Sequence, residues 1–296
     1  MGAFVGDVLL RFRAGDGTTH VRALAYQSVF IALSGFIGLV GLANVLDVEQ
    51  LRGVVGEMGR SLLSGSSGRL LQETIRQGSH EGSTAAIVGL TAAALAGTLA
   101  MAQLERSANR LAGSNVDRPG LLRYAVAVAL ALTVGSLLVA GALILGGGGA
   151  LATGFGWSGD AGTVWAVIRW PLGIAVVAIA TFLLFRLAPR SRITSRSSLL
   201  VGTIVAVILW VVFTALLTAY FALRSDAGTN PYGPLLAVIA LLLWAMATSL
   251  AFHLGLSTAY EWAGARHPGE VDVVHVPGPP TTPDVATHDP ANASPR

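Results

Sequence analysis

Residues 198–265 read SLLVGTIVAVILWVVFTALLTAYFALRSDAGTNPYGPLLAVIALLLWAMATSLAFHLGLSTAYEWAGA, and they decide the fold. Two apolar runs, Leu199 to Leu223 and Pro234 to Leu256, flank a short polar turn. At about 1.5 Å per residue, a run of about 20 residues crosses a hydrocarbon core about 30 Å thick. The stretch is a transmembrane hairpin, because a soluble domain could not wet this surface.

Composition extends that reading to the whole chain. Of its 296 residues, 53% are apolar and only 12% charged, which lies in the range of polytopic membrane proteins. The length therefore encodes spans rather than soluble domains. A net charge of +3 and a pI near 9.8 would suit nucleic acid, but the arginines cluster at the ends of apolar runs, as membrane orientation requires. No nucleic-acid partner is expected. The chain has no cysteine and no lysine, which removes thiolate nucleophiles, cysteine-ligated metals, Schiff bases and the P-loop lysine.

Working outward from the hairpin, four further runs have spanning length: Ala23 to Leu46, Ser83 to Ala102, Tyr124 to Leu145 and Val164 to Phe185. The predicted fold is all-α, a polytopic membrane protein of six transmembrane helices. Amphipathic helices are expected at the N-terminus and between spans one and two. Residues 1–22 form an interfacial helix, 23–265 the membrane domain, and 266–296 a proline-rich disordered cytoplasmic tail. Between Asp47 and Gly82, Leu51, Val54, Val55, Met58 and Leu62 recur at helical spacing, the pattern of an interfacial helix or a lid. The segment GGGGALATGFGWSGDAG after span three is expected to be an external linker. Gly35, Gly38 and Gly41 in span one form a close-packing face.

Arginine placement sets the topology. The N-terminus, the 103–123 and 186–198 loops and the tail hold thirteen arginines, and the alternate loops five. The positive-inside rule then places both termini in the cytoplasm.

Few residues in or beside the spans carry chemistry. Arg169 is the single charge inside a predicted span, followed by Pro171, which should bend the helix. Arginine in hydrocarbon costs about 3 kcal/mol or more, so it snorkels to headgroups, pairs with another span, or meets an anion in a cavity. Glu105, Arg106, Asn109 and Arg110 follow span two within one or two helical turns, either as a solvated helix end or as a cluster with a specific role. Gln27 and, in the reading that gives it a role, the cluster of Glu105, Arg106, Asn109 and Arg110 are candidate wall residues of the same cavity as Arg169. His253, alone near the end of span six, is expected to play a hydrogen-bonded structural role. Trp210 and Trp244 lie near mid-span and are expected to pack between helices. The six histidines make no ligand pair at helix or strand spacing, so no metal, cofactor, nuclease or other enzyme activity is expected.

The ordered set Gly202, Trp210, Tyr220, Tyr232-Gly233, Leu243-Trp244 and Gly255 resembles the C-terminal signature of the YihY/BrkB family of bacterial inner-membrane proteins, some once labelled ribonuclease BN. The string RWPLG around Pro171 and the later FRLAPR are similar to the same pattern. AYQSVFIALSGF resembles the family's first span, with Gly35 where members commonly carry proline. The resemblance implies a bacterial inner-membrane protein with roles in envelope traits, export or lipid translocation. Membrane lipids are the expected partners. A structural scaffold that binds an envelope protein is the alternative.

Overall fold

The structure is a computed structural model that describes residues 2–46, 82–114, 118–190, 193, 195–222 and 233–266. The segment expected to be amphipathic, from residue 47 to 81, and the tail beyond residue 266 lie outside the described residues. The chain folds as α1 (Gly2–Ala14), α2 (Gly17–Leu46), α3 (Gly82–Leu111), α4 (Gly120–Gly146), α5 (Gly148–Gly154), α6 (Asp160–Leu187), α7 (Arg196–Ala222) and α8 (Gly233–Arg266). Six of these, α2, α3, α4, α6, α7 and α8, are long and apolar enough to cross a membrane.

The helices outrun the apolar runs that announce them. α3 continues past Ala102 to Leu111, and α8 past Leu256 to Arg266. In both, polar and charged residues interrupt the apolar ones that enter the core, so an uninterrupted apolar run does not mark the extension. The N-terminal helix ends at Ala14 and α2 begins at Gly17, so His20 and Arg22 belong to the first spanning helix. α6 runs unbroken through Pro171. The glycine-rich linker contains a short helix, α5, which turns back onto α6 through a hydrogen bond from Trp165 Nε1 to Gly148 O (2.7 Å). α4 is interrupted by a π-helical turn over Ala131–Gly135, with Thr133 and Ser136 hydroxyls donating to the carbonyls of Ala129 and Leu132.

The spanning helices pack as three antiparallel hairpins, α2–α3, α4–α6 and α7–α8. These join in a ring: α3 touches α4, α6 touches α7, and α8 returns to α2. Glycines set the hairpin seams. A Cβ on Gly202 would stand 2.6 Å from Gly255 O, and one on Gly255 would stand 2.7 Å from Gly202 O. In the α2–α3 seam, Gly38 faces the backbone of Leu90, Gly41 that of Ala86, and Gly89 that of Gly38. Without a hydrophobic drive between helices in lipid, such backbone contact supplies the dispersion that holds each pair.

The core shared by the whole ring lies at one end. It contains Leu24 of α2, Ala100, Leu104, Ala108 and Leu111 of α3, and Leu130 and Val134 of α4. From the other side come Leu184 and Phe185 of α6, Leu199 and Ala206 of α7, and Leu256, Ala259 and Tyr260 of α8. All but the α4 pair, which is mid-helix, belong to the arginine-rich half. Towards the other end, no described side chain is buried over residues 160–172 of α6, 208–220 of α7 or 238–244 of α8. A helix in a closed bundle buries one stripe along its length. These three do so only in the arginine-rich half, so among the described residues the ring is packed at that end and open, its side chains exposed or half-buried, at the other.

Candidate functional site

Polar side chains gather at three places. The first ties the arginine-rich end together. α3 stops in a glycine-capped turn, with Ser114 N–H donating to Asn109 O (2.9 Å), Gly113 N–H to Arg110 O (3.0 Å), and Gly113 at φ 78°. The turn releases the chain so that Arg118 folds back onto α3. There its Nη1 meets Glu105 Oε1 at 2.9 Å, and it also donates to the carbonyls of Ala188 (3.2 Å) and Pro189 (3.4 Å) beyond α6. Glu105 is 1% exposed. Asn109, fully buried, accepts the Arg190 N–H at 2.8 Å through Oδ1. Glu105 and Asn109 thus clamp α3 to the end of α6. Arg106 is half-buried and Arg110 exposed on the same helix end.

On the neighbouring face Arg11 of α1 pairs with Glu261 of α8 and donates to Leu111 O at 3.0 Å, while Phe4 packs edge-on to Trp262 with ring centres 5.8 Å apart. The N-terminal helix is docked on the ends of α3 and α8.

The second place lies between α2, α3 and α8. Gln103 Nε2 and His20 Nδ1 are 2.8 Å apart, and His253, 2% exposed, has Nδ1 2.7 Å from Ser249 O. A ring nitrogen donating to a carbonyl leaves Nε2 as an acceptor. That atom is shielded and has no partner among the described residues; neither has the buried Ser249 hydroxyl. His253 has the hydrogen-bonded setting expected of it, together with a second histidine that no spacing rule links to it. Gln27 lies on α2 between Ala25 and Val29, which pack on Ala245 of α8. Its Oε1 is likewise shielded, with no hydrogen-bond partner among the described residues.

The third place is the open half. Arg169 is half-buried on α6, its stem running across Gly148: a Cβ there would stand 2.6 Å from Arg169 Cδ. Its guanidinium lies 5.5 Å from the centre of the Trp170 ring. Trp165, Trp157 and Phe155 form a continuous aromatic group beside it, with centres 5.1 and 5.5 Å apart. No described residue accepts a hydrogen bond from Arg169 or pairs with it, and its Nε is shielded.

The structure does not bring the candidate residues into one site. Nineteen residues of chain separate Arg169 from Ala188, the clamp's anchor, a rise of about 28 Å on a regular helix. Glu105 and Asn109 belong to the closed end and Arg169 to the open one. Of the signature residues, Gly202 and Gly255 meet in the α7–α8 seam. Trp244 Nε1 donates to Thr214 Oγ1 on α7 at 3.2 Å, and Trp210 is half-buried. Tyr220 is 51% exposed, Pro171 is inside α6, and Gly233 opens α8. Arg118 and Gly148 were not singled out from sequence. An arginine seven residues beyond a helix end, and a glycine among four, carry no periodic signal.

Comparison with known proteins fits this architecture. A 24% identical relative, a ribonuclease-like protein named YfkH from Bacillus subtilis (strain 168), aligns over 264 residues, 86% of this chain and 92% of its own. No solved structure matches. The profile of the family described as Virulence factor BrkB matches residues 8–273, from α1 to beyond the end of α8. By that match the chain is a multi-pass membrane protein belonging to the BrkB family.

Proposed function

We infer that the protein is a lipid-handling or transport conduit of the bacterial cytoplasmic membrane, with both termini in the cytoplasm. The observation that supports it is the uneven ring: six helices share a packed core in the arginine-rich half, whereas three of them bury no described side chain in the other. A protein that only braced the envelope would gain by packing throughout, whereas one that admits a guest from one side needs this shape. Orientation follows from the arginines, which put the packed end inside and the open end outside. No nucleotide-binding motif supplies energy, and movement is passive or driven by a partner.

The ribonuclease-like name of the Bacillus protein does not enter this reading. Phosphodiester hydrolysis with a metal needs converging carboxylates and histidines. Among the described residues no group of three or more such side chains could hold an ion.

The test is reconstitution of the purified chain into vesicles carrying a fluorescent phospholipid, with transbilayer exchange followed by reduction of the outer-leaflet dye. Exchange above that of empty vesicles is expected. Exchange equal to empty vesicles, with a second protein retained through purification, would replace this reading with a scaffold.

A further inference from the structure

We propose that Arg169, backed by Trp170 and seated in the notch that Gly148 leaves, is a phosphate-binding site at the open end of the ring. Its ligand class is the phosphate of a phospholipid headgroup. The inference rests on the lipid-handling reading and deepens it by naming the group recognised.

A guanidinium carries five N–H donors and cannot shed its charge, so within a membrane it must find acceptors. Three arginines at the helix ends have them. Arg11 holds Glu261 and Leu111 O, Arg118 holds Glu105 and two carbonyls, and Arg123 donates to Tyr124. Arg169 has no acceptor among the described residues. Its donors are supplied by the fold and left for something outside it.

Depth selects the phosphate. α6 has 28 residues and is about 42 Å long, some 12 Å more than the hydrocarbon thickness. If the excess is shared between its ends, the boundary falls near Trp165. Arg169, nine residues from the start, then lies about 7 Å below it. A stretched arginine stem bridges about that distance, so the guanidinium reaches the phosphate level while its methylenes stay in the apolar layer. The tryptophans fix this depth.

The notch supplies the specificity. Gly148 lacks the Cβ that would strike Arg169 Cδ, and its carbonyl is taken by Trp165 Nε1. Its Cζ lies over Trp170, and Nη1 and Nε both line the notch, 2.9 and 3.5 Å from where a Gly148 Cβ would stand; Nε alone is shielded, so the two terminal nitrogens still carry the fork of N–H donors that matches two phosphate oxygens. No described carboxylate faces it to compete.

The experiment uses the full chain in a neutral detergent and reads tryptophan fluorescence. The probes are a bromine-labelled phosphatidylglycerol, a bromine-labelled diacylglycerol with no phosphate, and inorganic phosphate as competitor. Phosphatidylglycerol should quench saturably, and Arg169→Gln should weaken it about tenfold while diacylglycerol quenching is unchanged. Gly148→Ala should weaken it in the same direction by pushing the arginine stem aside, with the arginine still present. Arg169→Lys should recover only part, because an ammonium cannot fork. Competition by millimolar inorganic phosphate would assign the site to a free anion, and its absence to the lipid headgroup.

Equal quenching by phosphatidylglycerol in wild type and in an Arg169→Gln protein that elutes and melts as wild type does would overturn the proposal. So would diacylglycerol bound as tightly as phosphatidylglycerol. Binding is read without transport: wild-type protein that binds phosphatidylglycerol but exchanges none in vesicles keeps the site and removes the conduit. Exchange with no Arg169-dependent binding does the reverse.

Discussion

Removing Glu105 should be among the most damaging single changes at the arginine-rich end. Glu105 is 1% exposed and the Arg118 side chain 11%, so the pair sits in a low-dielectric setting, and Arg118 also holds Ala188 O and Pro189 O. Taking one partner from a buried ion pair costs about 3–5 kcal/mol, because the other charge stays behind uncompensated. The two carbonyls relieve part of that loss. Glu105→Gln should therefore destabilise by about 3 kcal/mol, and Arg118→Met, which takes the guanidinium from a buried carboxylate, by a similar amount. The double variant Glu105→Gln/Arg118→Met should cost less than the two singles added, with a coupling of about 2 kcal/mol. Reversible unfolding in mixed micelles measures all three. Single-variant costs below about 1 kcal/mol that simply add would show that the pair is solvated and that α3 is held to α6 by apolar packing alone.

The α7–α8 seam should resist enlargement. Gly202→Ala or Gly255→Ala each sets a methyl 2.6–2.7 Å from a facing carbonyl oxygen, so the helices must part, at about 1–3 kcal/mol each; unfolding in micelles reads the loss, and unchanged stability would mean the seam has slack. Topology can be mapped without background labelling because the chain has no cysteine. A cysteine replacing exposed Ser158 should react with a membrane-impermeant maleimide in intact cells, and one replacing exposed Ser197 only after permeabilisation. Labelling of both in intact cells would refute the orientation inferred from the arginines.

The spans were legible because lipid demands long uninterrupted apolar runs, and six such runs stand out along the chain. Helix ends were less so. Glu105 and Glu261 lie in the extensions of α3 and α8 and find their partners off the spanning helices, Arg118 in the turn after α3 and Arg11 on α1. Such pairings carry no sequence spacing, and the local i, i+4 rule points instead to position 109, whose side chain caps Arg190 N–H. The segment around Gly148 reads as a linker because glycine has poor helix propensity. Its hydrogen bond from Trp165 overrides that preference. Arg169 and the Glu105 cluster were grouped by chemistry alone, and only the helix register reveals that they occupy opposite ends.

The glycine seams bear on how the protein is made. Each tight contact joins neighbours in the chain, α2 with α3, α4 with α6 and α7 with α8, whereas the ring-closing contact joins the first spanning helix to the last. Local pairings form with little loop entropy to overcome, so every hairpin can zip as it leaves the ribosome. The α8–α2 contact must wait until synthesis is nearly over. A nascent chain halted before α8 would hold two finished pairs and an unmated seventh helix, with the flank of α2 bare to lipid.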